Sequence, residues 1–120
     1  AANSGIVVGT GNKVEDSGVG FYTKYRDGGV DIAPIADCSK TEVWELATYL
    51  GISKDIIDAE PTDGLWDDGR TDVNQLGMTY QELEAAMSSK KDKNYEKYMQ
   101  IRKKNLHKME PIPVCKFKKK

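Results

Sequence analysis

The apolar positions in the first third of the chain form two short runs. Residues 5–9, GIVVG, are a β-branched run bounded by glycines, which is typical of a strand buried in a mostly parallel sheet. A second short strand is predicted from Asp31 to Ile35, after an Asp-Gly-Gly turn signal. Residues 12–19 mix charges with glycines, and we predict one helical turn there. These elements indicate an α/β fold.

Helical spacing of apolar residues begins after residue 38. Ser39 is a predicted N-cap with Glu42 at the N3 position, which is the capping-box spacing. Apolar residues then recur at i, i+3, i+4 and i+7, namely Val43, Leu46, Ala47 and Leu50. Gly51 is placed to end this amphipathic helix.

The remainder of the chain predicts two further helices, a short helical turn and one long loop. The short turn is predicted at about 53–57. Residues 58–77 have no period and many turn formers, so we expect a long loop, of the kind that often serves as a mobile lid. A helix is predicted over Thr79 to Ala86, capped by Thr79, and a last, lysine-rich helix over 91–106.

The composition indicates one domain with a thin core, or a piece of a larger core. The chain has 120 residues, of which 38% are hydrophobic and 31% charged. No stretch approaches the roughly 18 apolar residues of a membrane span, and the N-terminus lacks a signal-peptide pattern, so we expect a soluble, cytoplasmic protein. Cys38 and Cys115 lack CxxC spacing, so neither a disulfide framework nor a zinc site is indicated.

The charges are segregated along the chain, although the formal net charge is only -1. Residues 1–87 carry 16 acidic and 6 basic side chains, whereas residues 88–120 carry 3 acidic and 12 basic ones. The basic region could contact nucleic acid, but solvated lysines on a helix face are the commoner explanation. Few aromatic residues lie among these lysines, so we expect no nucleic-acid partner.

The turn GTGNK after the first predicted strand is a candidate ligand site, because α/β proteins bind ligands at the carboxyl edge of a parallel sheet. It is neither a Walker A loop nor a G-x-G-x-x-G motif, so a purely structural turn is the alternative. Thr10 could hydrogen-bond a nucleotide. Glu15 could be one of the carboxylates that hold Mg²⁺ beside phosphates.

A second group of charged residues surrounds the next glycine turn: Lys24, Asp27, Asp31 and Lys40. Such a group suits phosphates and ribose hydroxyls, and it equally suits an ordinary exposed surface. The single histidine, His107, lies beside Lys108 at the end of a basic helix, where a cation is favoured by the helix dipole. No Ser-His-Asp or Cys-His arrangement can be assembled, so no catalytic nucleophile is indicated.

Four segments together resemble the C-terminal half of an ammonia-dependent NAD synthetase: VVGTGNKVED, FYTKYRDGGVDIAPIADCSKTEVWELATYLGI, PTDGLWDDGRTDVNQLGMTYQELE and LHKMEPIPV. The resemblance implies a Rossmann-like α/β fold with a parallel sheet of the adenine nucleotide alpha hydrolase type. It also implies an activity, in which ATP and Mg²⁺ activate the nicotinate carboxylate of deamido-NAD as an adenylate. Ammonia then displaces AMP to give NAD.

The same resemblance implies roles for individual residues. The ATP contacts would be made by Thr10, Lys40 and Thr62, and Glu15 would help hold Mg²⁺. The contacts to deamido-NAD would be made by Lys24, Asp31, His107 and Lys108. Lysines in these places would neutralise charge on phosphates and on the developing pyrophosphate. The long loop would order over the substrates and exclude water from the adenylate.

The sequence also departs from the family pattern. The Ser-Gly-Gly-x-Asp-Ser phosphate loop, which lies upstream in a complete enzyme, does not occur in these 120 residues. We therefore expect residues 1–120 to be the C-terminal part of a single synthetase domain, with a fragment favoured over a split subunit. Its partner would be the N-terminal half, which supplies much of the family's homodimer interface. Arg26 stands where many members have glycine.

Two other interpretations remain open. The chain could be the synthetase part of a glutamine-dependent NAD synthetase, since that family shares the GTGNK-type turn. It could also be a non-catalytic module that binds a nucleotide without turning it over.

Overall fold

The computed structural model describes residues 4–25 and 27–118. Helices dominate these residues: a π-helix at Val14–Val19, α1 at Lys40–Tyr49, α2 at Lys54–Ile57, α3 at Asp72–Leu76, α4 at Tyr80–Ser88 and α5 at Tyr95–Met109. The Arg26 position, singled out in the sequence, lies outside the described residues, so its effect on the Asp-Gly-Gly turn stays a prediction.

The two predicted strands meet at a single parallel bridge, between Val8 and Ile32. The Gly9 N–H donates a hydrogen bond of 2.7 Å to the Ile32 carbonyl. Within the described residues no named strand forms, so the strands predicted over 5–9 and Asp31–Ile35 are wrong in extent. The predicted parallel sheet is not confirmed by this chain.

The strands stay short because the described residues offer them few neighbours. The side chains of Ile6, Val7 and Val8 are 65%, 55% and 52% exposed. On the other side, the chain turns soon after the bridge, where the Cys38 N–H donates to the Ile35 carbonyl at 3.0 Å. A buried parallel sheet needs strands and helices on both sides of such apolar runs.

The helical turn predicted between these segments is confirmed as the π-helix. The side-chain oxygen of the buried Asn12 accepts hydrogen bonds from the Val14 and Glu15 N–H groups at 3.0 and 3.1 Å. Gly20 ends the element with φ +67°, and a Cβ at this position would lie 2.6 Å from the Asn105 Cβ. Both the positive φ and the close approach require glycine.

Helices α1 and α4 begin where the sequence predicts. The Ser39 hydroxyl accepts from the Glu42 N–H at 3.3 Å, and the Glu42 carboxylate accepts from the Ser39 N–H at 2.7 Å. Thr79 and Glu82 form the same reciprocal pair at the start of α4. A capping box uses residues only three positions apart, so local sequence is enough to specify it. The short α2 and the positive φ of Gly51 are also as predicted.

The loop predicted over 58–77 is wrong at its C-terminal end, where α3 forms. Thr71 and Asn74 make its capping box, and Gly77 ends it with φ 68°. The usual capping-box signature has Glu or Gln at N3. Because this helix has asparagine there, the signature does not predict it. Five residues are also too few to show a helical period.

Helix α5 is shifted toward the C-terminus from the predicted range 91–106. Turns occupy the residues before Tyr95, and the Asp92 carboxylate accepts from the Asn94 N–H at 2.7 Å. Aspartate stabilises a turn in this way, so regular helix starts only afterwards. The helix then continues to Met109, just ahead of the proline-containing tail.

The π-helix, α4 and α5 pack around a small apolar core. Its buried members come from these elements and from the segment before α4: Val14, Val19, Leu76, Met78, Tyr80, Leu83, Ala86 and Tyr98. Arg102 of α5 donates to the Gly18 carbonyl at 2.8 Å and thereby ties α5 to the end of the π-helix.

None of the described helices combines the length and apolarity needed to cross a bilayer. Cys38 is half-buried and Cys115 exposed, and both are free thiols.

Leu83 provides a test of the core, because its side chain has no exposed surface. We expect Leu83→Ala to lower the free energy of unfolding by about 2–5 kcal/mol, through lost burial and a residual cavity. Leu65→Ala is the matched control, since Leu65 is 78% exposed, and it should change the value by about 0.5 kcal/mol or less. Urea unfolding followed by circular dichroism measures both. Equal losses in the two variants would contradict this packing.

Candidate functional site

A cleft of about 490 Å³ lies beside the GTG turn. Its lining includes Thr10 from the turn, Glu15 from the π-helix and Thr62 from the long loop. The structure thus brings together three of the four residues predicted for ATP and Mg²⁺. The fourth, Lys40, reaches the same place from the start of α1, with its Nζ 3.2 Å from the Glu15 Oε1.

Glu15 is the hub of polar contacts in this cleft, which we call the first cleft. Its Oε1 contacts the Lys40 ammonium and the Tyr80 hydroxyl, the latter at 2.7 Å. Its Oε2 lies 3.4 Å from the Asn12 N–H. The side chains of Glu15 and Lys40 are 18% and 19% exposed, so the ion pair is only partly screened by solvent. The Asn12 backbone N–H and the Tyr80 hydroxyl therefore both hold the carboxylate.

Tyr80 and Asp72 are site residues that the sequence did not reveal. The Tyr80 hydroxyl lies 2.6 Å from the Asp72 Oδ2 as well as 2.7 Å from Glu15. A phenol has one hydrogen to donate, so one of these two contacts needs a hydrogen from the carboxyl side. Glu15 faces an ammonium, whereas the Asp72 Oδ1 is buried without a partner among the described residues, so we assign the extra hydrogen to Asp72.

The pKa shifts agree with this assignment. Burial raises the pKa of the Asp72 carboxyl, although the hydrogen bond between Asp72 and Tyr80 partly opposes this rise. Burial also raises the pKa of the Tyr80 phenol, as does its hydrogen bond with Asp72, so the phenol keeps its hydrogen. Asp16, which lines the first cleft too, has its pKa raised by burial and then by the nearby Glu15 charge.

The loop over the first cleft is closed at its base. The Thr62 hydroxyl donates to the Arg70 carbonyl at 3.0 Å and accepts from the Gly64 N–H at 3.2 Å. The Asp72 N–H donates to the Pro61 carbonyl at 2.9 Å. Thr62 is exposed, and its hydroxyl is already engaged in shaping the loop.

A second cleft, of about 380 Å³, adjoins the first and shares Gly9, Gly11 and Tyr22 with it. Its lining includes Lys24 and Lys108, two of the four residues predicted to contact deamido-NAD. The Lys24 ammonium donates to the carbonyls of His107, at 2.8 Å, and of Glu110. The Lys108 ammonium donates to the Gly20 carbonyl at 2.9 Å. Both lysines therefore link the glycine turns to the end of α5.

The other two predicted substrate residues are placed differently. The Asp31 carboxylate accepts from the Val7 N–H at 2.7 Å and so joins the two bridged segments. His107 lies exposed in the last turn of α5, where its carbonyl is the acceptor for Lys24. Neither residue belongs to the lining of the two clefts.

A metal ion would need ligands from outside this chain. Over the described residues there is no group of three or more His, Cys, Asp or Glu side chains that could hold an ion. Glu15 fits as a single carboxylate ligand facing the first cleft, and Mg²⁺ commonly takes its other ligands from phosphates and water. The donor set is thus compatible with Mg²⁺ bound together with a nucleotide.

Comparison with known proteins places this chain in a family. The sequence model described as NAD synthase matches residues 1–120. The NH(3)-dependent NAD(+) synthetase of Archaeoglobus fulgidus is 40% identical over 94% of this chain and 47% of its own length. The NMN synthetase of Francisella tularensis has a TM-score of 0.81 and 35% identity, covering 93% of this chain and 47% of its own.

A further solved structure, the NH3-dependent NAD synthetase of Campylobacter jejuni in complex with the nitrate ion, shows the same fold with a TM-score of 0.65 and 19% identity. That match covers 96% of this chain and 47% of the neighbour. The chain thus spans about half the length of the relatives it matches. The family model extends over the whole of these 120 residues, and the resemblance found in the sequence is confirmed: the chain belongs to the NAD synthase family.

Proposed function

We propose that the protein containing this chain makes NAD from deamido-NAD, ATP and ammonia. The nicotinate carboxylate attacks the α-phosphorus of ATP and pyrophosphate leaves. Ammonia then attacks the acyl carbon of the adenylate, AMP leaves with the bonding electrons, and the nitrogen releases one proton to solvent. The observation that carries this proposal is the 40% identity, over nearly all of this chain, to a synthetase of that named activity.

The first cleft is proposed to hold ATP. Lys40 supplies a positive charge for the phosphates, and Thr10 and Thr62 line the same cleft. Such fixed charges stabilise the negative charge that develops on the leaving pyrophosphate. Mg²⁺, held in part by Glu15, would supply further positive charge and a template for the phosphates.

The second cleft is proposed to hold the pyridine nucleotide. Lys24 and Lys108 present ammonium groups there, and Asp31 and His107 lie on the segments that frame it. Because the two clefts adjoin and share Gly9 and Gly11, the carboxylate and the α-phosphorus could approach each other there. The closed loop that includes Thr62 would cover the adenylate and exclude water.

The exposed apolar segment Ile6–Val8 supports a larger sheet in the complete protein. We infer that residues outside this chain continue the Val8–Ile32 bridge into the parallel sheet of the family and supply its phosphate loop. Residues 1–120 would then be the C-terminal part of a single domain. The homodimer and the cytoplasmic location implied by the resemblance belong to this same proposal.

A second candidate is the amidation of deamido-NMN, the mononucleotide counterpart of deamido-NAD. The observation that favours it is the TM-score of 0.81 to a solved NMN synthetase. The two reactions use the same acyl chemistry and differ in whether an adenylyl group is attached to the substrate.

Lys40 and Glu15 test the ATP site. In the full-length protein, we expect Lys40→Ala and Glu15→Gln each to lower kcat by about 100-fold, because the first removes a positive charge proposed for the phosphates and the second a carboxylate proposed for Mg²⁺. Lys54→Ala is the matched control, since Lys54 pairs with Asp58 on an exposed surface, and it should leave kcat unchanged. NAD formation is measured by liquid chromatography. A normal kcat in both site variants would contradict the assignment.

The substrate and the nitrogen source can be tested on the unaltered full-length protein. We expect kcat/KM for deamido-NAD to exceed that for deamido-NMN by about tenfold or more. The reverse order would favour the second candidate. Ammonium should support the reaction without glutamine, whereas strict dependence on glutamine would indicate the glutamine-dependent class. No saturable binding of ATP or of either pyridine nucleotide would contradict both candidates.

A further inference from the structure

Tyr80 touches both members of the Glu15–Lys40 ion pair at the first cleft. Its hydroxyl lies 2.7 Å from the Glu15 Oε1, and the Lys40 Nζ lies 5.0 Å from the centre of its ring. The first contact is a hydrogen bond to a carboxylate and the second a cation–π contact. One side chain thus fixes the anion and the cation of the pair relative to each other.

The ring itself has little freedom to move. Tyr80 is 2% exposed and is the first residue of α4, whose start is fixed by the Thr79 capping box. Trp44 of α1 contacts it edge-on, with the ring centres 6.2 Å apart and the planes at 80°. Its hydroxyl also forms a hydrogen bond of 2.6 Å with the Asp72 carboxyl.

Helices α1 and α4 are joined independently beside this ring. The Glu84 carboxylate of α4 accepts from the Thr41 N–H at 3.0 Å and from the Thr41 hydroxyl at 2.6 Å. A carboxylate at a helix N-terminus satisfies an otherwise free N–H group and favours the helix dipole. The start of α1, which bears Lys40, therefore stays in register with the start of α4 even if the Tyr80 hydroxyl is removed.

We propose that Tyr80 is a positioning residue, which directs the Glu15 carboxylate and the Lys40 ammonium toward a nucleotide bound in the first cleft. This inference rests on the proposed function for the identity of that nucleotide. Tyr80 acts through Glu15 and Lys40 and is not a catalytic residue itself. A group locked in place by its neighbours loses less freedom on binding, which is why such support raises affinity and rate.

Tyr80→Phe in the full-length protein tests the role of the hydroxyl while keeping the ring under Lys40. We expect the Kd for ATP in the presence of MgCl2, measured by calorimetric titration, to rise about tenfold, the scale of one hydrogen bond to a charged group. The KM for the pyridine nucleotide should stay unchanged. Tyr98→Phe is the matched control: Tyr98 is buried in the same core, and its hydroxyl makes no hydrogen bond to the described residues. It should leave the ATP Kd unchanged.

A double-variant cycle separates positioning from general damage to the core. In a Glu15→Ala background, Tyr80→Phe should cause no further loss of ATP affinity, because the carboxylate that it positions is gone. If the double variant instead loses ATP affinity by the product of the two single-variant factors, the inference is overturned. An ATP Kd in Tyr80→Phe equal to that of Tyr98→Phe would also overturn it.

A second variant keeps the test decisive if Tyr80→Phe is unstable, since it leaves a buried carboxyl without its partner. Tyr80→Phe combined with Asp72→Leu removes both polar groups together, which costs less than leaving one unpaired. The same tenfold loss of ATP affinity is expected. If the unaltered protein binds ATP and forms neither NAD nor NMN, the proposed function fails while the binding cycle still decides the role of Tyr80. If the unaltered protein binds no ATP, both fail.

Discussion

The hydroxyl of Tyr80 joins elements that are far apart in the chain. It connects the π-helix through Glu15 with the start of α3 through Asp72, and the ring below it packs between α1 and the core. Burying a polar group in an apolar core costs free energy unless its hydrogen bonds are satisfied. The relative placement of these helices is therefore constrained by hydrogen bonding as well as by packing. The Glu15–Lys40 ion pair lies where this hydrogen-bond network meets the first cleft.

The two clefts depend on the same glycine turns. Gly9 and Gly11 line both, and a Cβ on Gly11 would lie 2.3 Å from the Asp16 carboxylate. Side chains at these positions would fill the space that the clefts share. Lys24 donates to the His107 carbonyl at the end of α5, and Lys108 of α5 donates to the Gly20 carbonyl, so both lysines join α5 to the segments beside the second cleft. The proposed reaction brings two nucleotides together, and adjoining clefts with a common lining suit that proposal.

The sequence predicted some elements well because their signals are local. The capping boxes at Ser39 and Thr79 involve residues three apart, and both helices start there. Helix α3 was missed because asparagine replaces the usual acid at N3. The strands were predicted from apolar runs that need neighbours to become a sheet, and this chain provides one bridge. The spacing of apolar residues shows which face of a segment could be buried. It does not show whether another element is present to pack against that face.

The candidate site likewise has one part that the sequence predicts and one part that only the structure shows. The sequence by itself determined the family and pointed to Thr10, Glu15, Lys40 and Thr62. The reason is that the family's motifs can be recognised from the residues and their order alone. Only the tertiary structure placed Thr10, Glu15 and Thr62 in one cleft with Lys40 paired to Glu15, left Asp31 and His107 outside the linings of both clefts, and revealed the contacts of Tyr80 and Asp72. The physical reason is distance along the chain: Tyr80 is 65 residues from Glu15, and a hydrogen bond over that separation exists only once the core has brought them together.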